Sequence, residues 1–153
     1  MLCTITQAEI QDILDQVMRE ITNRITEIYP CKEELNLSND VCTVHTTFEG
    51  GYCATLIMYV DTALLTRLTQ QVMEEEEVSL QDIEDFAKEY FNIICGKIVG
   101  KLFQCTHVAS RFRIPRFSVG RCAPAEGNGC CCVLNYASSR NEGAQLIHTS
   151  PLP

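Results

Sequence analysis

The stretch DFAKEYFNIICGKIVGKLF, Asp85–Phe103, decides how this chain is read. At ~100° per residue, Ile83, Phe86, Ala87, Tyr90, Ile93, Ile94 and Ile98 share an arc of roughly 140°, wide enough to be the core face of a helix. Asp85, Glu89, Asn92 and Gly96 share an arc of roughly 60° on the other side. Glu89 and Asn92 are three apart, so their side chains are neighbours. Gly96 removes side-chain bulk one turn further on, and Gly100 extends the bare strip. On spacing alone the row has two readings: a solvated outer face, which is the rule for such helices, or a docking surface. The Glu-x-x-Asn spacing by itself does not decide, because Glu20 and Asn23 repeat it on an earlier helix. Lys97 and Lys101 project toward the apolar side, where they must snorkel or meet a partner.

Upstream, Ile10, Ile13, Leu14, Val17, Ile21, Ile25 and Ile28 recur at helical spacing within residues 4–28, with Thr6 as N-cap and Glu9 three residues on. Tyr29-Pro30 ends that helix, and a polar connector is expected through Asp40. VCTVHTTFEGGYCATLIMYVD reads as a hairpin with a tight two-residue turn at Gly50-Gly51. Asp61 or Thr62 opens a short helix to about Met73, and Glu74–Glu77 is a solvated linker. Ser79 and Asp82 form a capping box for the long helix, which runs to about Gln104.

Downstream, SRFRIPRFSVGR alternates as a strand, with Phe112 and Ile114 on one phase and Phe117 and Val119 on the other after Pro115. A proline there marks an edge, a strand start or a bulge. Gly127-Asn128-Gly129 is a turn, Cys130–Tyr136 a strand, SSRNEG a second turn and Ala144–Thr149 a last strand. Runs of helices and runs of strands are segregated, which predicts an α+β domain over residues 1–153. Hairpin-length connections predict a largely antiparallel sheet, with the long amphipathic helices packed on one face.

Composition narrows the function classes. The chain has 153 residues, 46% of them hydrophobic and 21% charged, as in ordinary globular proteins. Its formal charge of -8 opposes general nucleic-acid binding, although Arg111, Arg113, Arg116 and Arg121 crowd one segment. No apolar run reaches the ~18 residues of a membrane span, and MLCTITQAEIQD lacks the basic and apolar parts of a signal peptide, so a cytoplasmic protein is expected. Ten cysteines occur without one C-x-x-C pair, and His45, His107 and His148 are far apart. Such spacing favours reduced thiols acting as small hydrophobes and predicts no metal site, with thiol or metal chemistry as the competing reading.

The longer pattern changes the weight of the row. Asp85-x-x-x-Glu89-x-x-Asn92 is followed, after twenty-two intervening residues, by Pro115. This resembles the signature of the CheC/CheX/FliY family of chemotaxis phosphatases. The earlier copy has Gln16, Thr46 and Glu27 where the signature wants Asp or Ser, the distant proline and the glycine. EYFNIICGKIVGKL is similar to the family's Glu-x-x-Asn-Ile-Ile-x-Gly segment, and RFRIPRFSVGR to its proline-bearing strand. Lys97 stands where the family commonly has Asn. With one complete copy, the chain resembles CheX more than two-site CheC.

The resemblance implies hydrolysis of the aspartyl phosphate on a CheY-like response-regulator receiver, with Glu89 and Asn92 catalytic. Asp85, Gly96 and Pro115 become supports. It implies no cofactor of the chain's own, Mg²⁺ being supplied by the receiver, and a homodimer; the charge and the apolar runs already predict no nucleic-acid or membrane partner. The alternative is a non-catalytic adaptor of the same fold that binds a receiver or a flagellar-switch protein.

Overall fold

The computed structural model describes residues 5–25, 28–31, 37, 39–122, 129–138 and 140–151. Helix α1 (Gln7–Ile25) opens with Thr6 accepting from the Glu9 amide at 3.2 Å. Strand β1 (Ile28–Cys31) follows, then β2 (Val41–Gly50), β3 (Ala54–Asp61), α2 (Thr62–Met73) and α3 (Leu80–Thr106). Strands β4 (Ser110–Phe112), β5 (Arg116–Val119), β6 (Gly129–Ser138) and β7 (Gly143–Pro151) complete the order. They form one antiparallel sheet, β1-β6-β7-β3-β2-β4, with β5 also pairing β2. The α+β expectation holds.

The core follows from strand alternation. Cys42, Val44, Phe48, Leu56, Met58, Val60, Cys132, Tyr136, Ala144 and Leu146 project from one sheet face. They meet Leu14, Val17 and Met18 of α1, Leu64 and Leu65 of α2, and the inner side of α3 in one buried cluster. Asp61, at the start of α2, makes no side-chain cap bond to that helix. Its carboxylate instead accepts from the Gly143 amide at 2.8 Å, while Arg67 of α2 pairs with Glu142 at 2.5 Å. Both contacts fasten α2 to the β6–β7 turn.

Several sequence expectations need correction. The first helix is shorter than 4–28, and the connector after it contains β1, which pairs β6 with Pro30 opposite Tyr136. Proline fits there because β1 is an edge strand and an outward N–H is dispensable. The β2–β3 connection is not a two-residue turn: the last register pair is Phe48 with Ala54. The glycines serve another contact. Gly51 donates to the Ala109 carbonyl at 3.0 Å, and a Cβ on it would lie 1.8 Å from Val108 Cγ1. The segment after α3 therefore lies directly on the hairpin.

The region around Pro115 is two strands on one partner. Phe48 pairs Phe112 and His45 pairs Arg116, so Thr46 and Thr47 face three residues, Arg113 to Pro115. That extra residue is a bulge. It explains why Phe112 and Phe117, an odd number apart, both pack against the core. Ile114, expected in phase with Phe112, is thrown outward and is 87% exposed, while Pro115 beside it is buried.

Gly127 and Asn128 lie outside the described residues. Of the cysteines described, Cys42, Cys95 and Cys132 are buried as small hydrophobes, whereas Cys53, Cys105 and Cys122 are exposed free thiols. Among the described residues no helix is long and apolar enough to cross a membrane.

Candidate functional site on helix α3

The capping box at the start of α3 is complete: the Asp82 amide donates to Ser79 Oγ at 3.1 Å, and the Ser79 amide to Asp82 Oδ2 at 2.9 Å. The helix packs on α1, α2, β2, β4 and β5. Its buried residues are Ile83, Ala87, Tyr90, Phe91, Ile94, Cys95, Ile98 and Leu102. On a ~100° wheel these centre about 60° from the sequence-derived arc. The helix is therefore rotated, so that Phe91 and Cys95 enter the core. Phe86 is half-buried, and Ile93, assigned to the core from sequence, is 41% exposed.

The polar row stays on the outward side after that rotation. Asp85, Glu89, Asn92, Gly96 and Gly100 are all exposed. Asp85 Oδ1 accepts from Gln81 Nε2 at 2.9 Å, which steadies it one turn earlier. Glu84 holds Lys88 at 3.1 Å, so the nearest lysine in sequence is already paired. No hydrogen bond or ion pair engages Glu89 or Asn92 among the described residues. An added Cβ on Gly96 would meet nothing within 4 Å, so its neighbourhood is open. Pro115, the fifth signature residue, lies off the helix in the buried end of the bulge. The Thr46 hydroxyl donates to the Arg113 carbonyl at 2.5 Å and fixes the bulge's other end.

Chemically, the exposed pair offers one carboxylate and one amide side by side. A carboxylate accepts hydrogen bonds and attracts a cation; an amide both accepts and donates while staying neutral. Neither is buried or committed to folding.

The remaining candidates sort themselves. Glu20 of the earlier motif copy pairs with Lys101 at 3.2 Å and Lys97 at 3.7 Å. It ties α1 to α3 and supplies the partner those lysines required. The side chain of Asn23 is outside the described residues. Arg111 lies 3.6 Å from Glu49, Arg113 also pairs with Glu49, and Arg121 sits over the Tyr59 ring at 4.9 Å. These arginines are partly neutralised or stacked. Sequence reasoning missed two exposed apolar residues on the outward side of α3, Ile93 and Phe103, the latter 50% exposed.

A family model described as chemotaxis phosphatase CheX matches residues 42–134, which takes in α3, the bulge and most of the sheet. The chain belongs to the CheX family. No curated protein matches it in sequence. Among solved structures it is similar to the CheX of a CheX–CheY–BeF3–Mg²⁺ complex from Borrelia burgdorferi. The TM-score is 0.75 at 14% identity, over 97% of this chain and 99% of that one. CheX from Desulfovibrio desulfuricans gives 0.76 at 11% identity, over 93% and 99% of the two chains. FliY from Thermotoga maritima gives 0.64 at 11%, over 97% and 92%. At such identities these likenesses show the fold, and it is the CheX fold over 97% of the chain.

Proposed function

We propose that this CheX-family chain hydrolyses the aspartyl phosphate of a CheY-like response-regulator receiver, with Asn92 and Glu89 as its catalytic residues. The observation that carries this reading is the uncommitted, outward-facing Glu89–Asn92 pair on the side of α3 opposite the core. The CheX–CheY complex among the structural relatives supports the choice of partner.

The reaction asks for little covalent chemistry from the chain. Water attacks phosphorus opposite the bond to the receiver aspartate; that bond breaks and the carboxylate leaves. Such a transfer depends on positioning and charge stabilisation. Asn92 accepts a hydrogen bond from the water and orients it without taking its proton, which passes to a phosphoryl oxygen as inorganic phosphate forms. Glu89 pairs with the receiver's active-site lysine and sets the docking register. Mg²⁺ belongs to the receiver, so the chain brings no cofactor. Asp85 steadies the row, Gly96 permits close approach and Pro115 shapes the adjoining strand. Residues 1–153 act as one domain in the cytoplasm, without nucleic acid or membrane, and assemble as a homodimer that light scattering would measure.

The test is a dephosphorylation assay with phosphorylated receivers. The unmodified chain should accelerate phosphate loss. Asn92→Ala should reduce turnover by about 100-fold, the scale of lost positioning, with receiver binding unchanged. An Asn92→Ala protein with full turnover removes the catalytic assignment. A chain that binds the receiver without accelerating phosphate loss is the adaptor instead.

A further inference from the structure

Ile93 and Phe103 have no place in the core, yet both are large and apolar and lie on the helix that carries the candidate site, 41% and 50% exposed. On a ~100° wheel Ile93 is about 40° from Glu89, and Phe103 about 20° from Asn92. Leu80, also exposed at 58%, points roughly 150° away from the row. Phe103 is not loose: its ring meets His107 edge-on, with centroids 6.4 Å apart. His107 itself is held at the left-handed C-cap of the helix.

The occupant follows from the phosphatase reading, and the footprint of a partner shows what it would cover. A standard protein–protein interface covers about 800 Å² on each side, a disc of roughly 16 Å radius. The axial distance from Asn92 to Phe103 is about 16 Å at 1.5 Å per residue. A receiver centred on Asn92, where the water is to be placed, would therefore bury Ile93 well inside the contact and reach Phe103 at its margin. A second copy of this chain is the poorer occupant. A two-fold pairing of this face would gather Asp85 and Glu89 from both copies into one contact, with no cation in the row to balance them.

We propose that Ile93 and Phe103 are receiver-binding residues, the apolar contacts that hold the phosphorylated receiver across Glu89 and Asn92 and grade which receivers are accepted. The proposal rests on the phosphatase reading above. It divides the face into a polar pair that performs the chemistry and an apolar pair that supplies affinity, as interfaces concentrate binding in a few buried apolar anchors.

The experiment is steady-state dephosphorylation of a receiver charged with acetyl phosphate, with melting temperature measured for every variant. Ile93→Ala should raise KM about tenfold and Phe103→Ala about threefold, a central anchor against a marginal one. In both, kcat and melting temperature should stay at the wild-type value, and Phe103→Leu should restore most of the lost affinity. Wild-type KM in both alanine variants overturns the proposal. So does a KM rise that tracks a fall in melting temperature, because that marks a structural role. Asn92→Ala is run in the same series. If it keeps full turnover, the phosphatase reading falls and takes this proposal with it. If it is slow while Ile93→Ala and Phe103→Ala show wild-type KM, the proposal alone falls.

Discussion

Glu89 and Asn92 stand three residues apart and divide two tasks, so they should fail differently. Glu89→Gln keeps shape and hydrogen-bonding atoms but removes the charge. Receiver binding should weaken, and the binding that remains should depend less on salt, because the screened ion pair is gone. A salt series of receiver affinities for both proteins checks this, and parallel salt slopes would contradict the ion-pair role. Stability should hold within about 0.5 kcal/mol, as for most exposed polar changes. His148 makes the opposite kind of residue-scale prediction. It is buried on the core face of β7, where its Nε2 shares a hydrogen bond of 2.5 Å with the Tyr52 hydroxyl. Burial pushes its pKa down to about 4 from the ordinary 6.5. Between these values the unfolded chain binds a proton that the folded chain refuses, so stability falls as pH drops from 6.5 toward 4 and is complete above 6.5. His148→Gln retains an acceptor for Tyr52 and cannot titrate. Its denaturation midpoint should vary less across that window than the wild type's. The Glu89–Asn92 row was legible from sequence because helical geometry is regular. The position of Ile93 was not, because an arc chosen without Phe91 and Cys95 turns the buried face about 60° from where it lies.

Elements were readable where local chemistry marks them. Ser79 and Asp82 announce the start of α3, and the structure contains both bonds of that box. The breaks around Pro115 were readable as a phase change in the apolar pattern, and the register shows the inserted residue behind it. Strand β1 was not readable: four residues offer too short an alternation, and Pro30 argues against a strand unless its place at the edge is known. The role of Gly51 was equally hidden. The glycine pair suggested a turn, but the constraint comes from Val108, fifty-seven positions later by subtraction of residue numbers. Gly51→Ala should therefore destabilise the fold by about 1–3 kcal/mol through overpacking, even though alanine is usually the better-tolerated residue. A melting curve no lower than the wild type's would show that the Val108 side chain simply turns aside.

At the scale of the molecule, segregated helix and strand runs gave the α+β class without any tertiary information, but not the strand order. Order depends on which distant segments share a register, and no local pattern encodes that. Here β3 lies inside the sheet, between β2 and β7, while β1 holds an edge through four register pairs with β6. Hairpin β2–β3 joins neighbours in the chain, whereas β1–β6 joins Ile28 to Ser138. Closing so wide a loop costs entropy for few contacts. The chain should thus acquire its hairpin early and dock its first strand late, and lose them in the reverse order. Amide hydrogen exchange reads that sequence directly. Amides of β3 should exchange only when the whole protein unfolds, while those paired between β1 and β6 should exchange through a cheaper local opening. Equal protection in the two places would mean that the edge and the centre of the sheet come apart together.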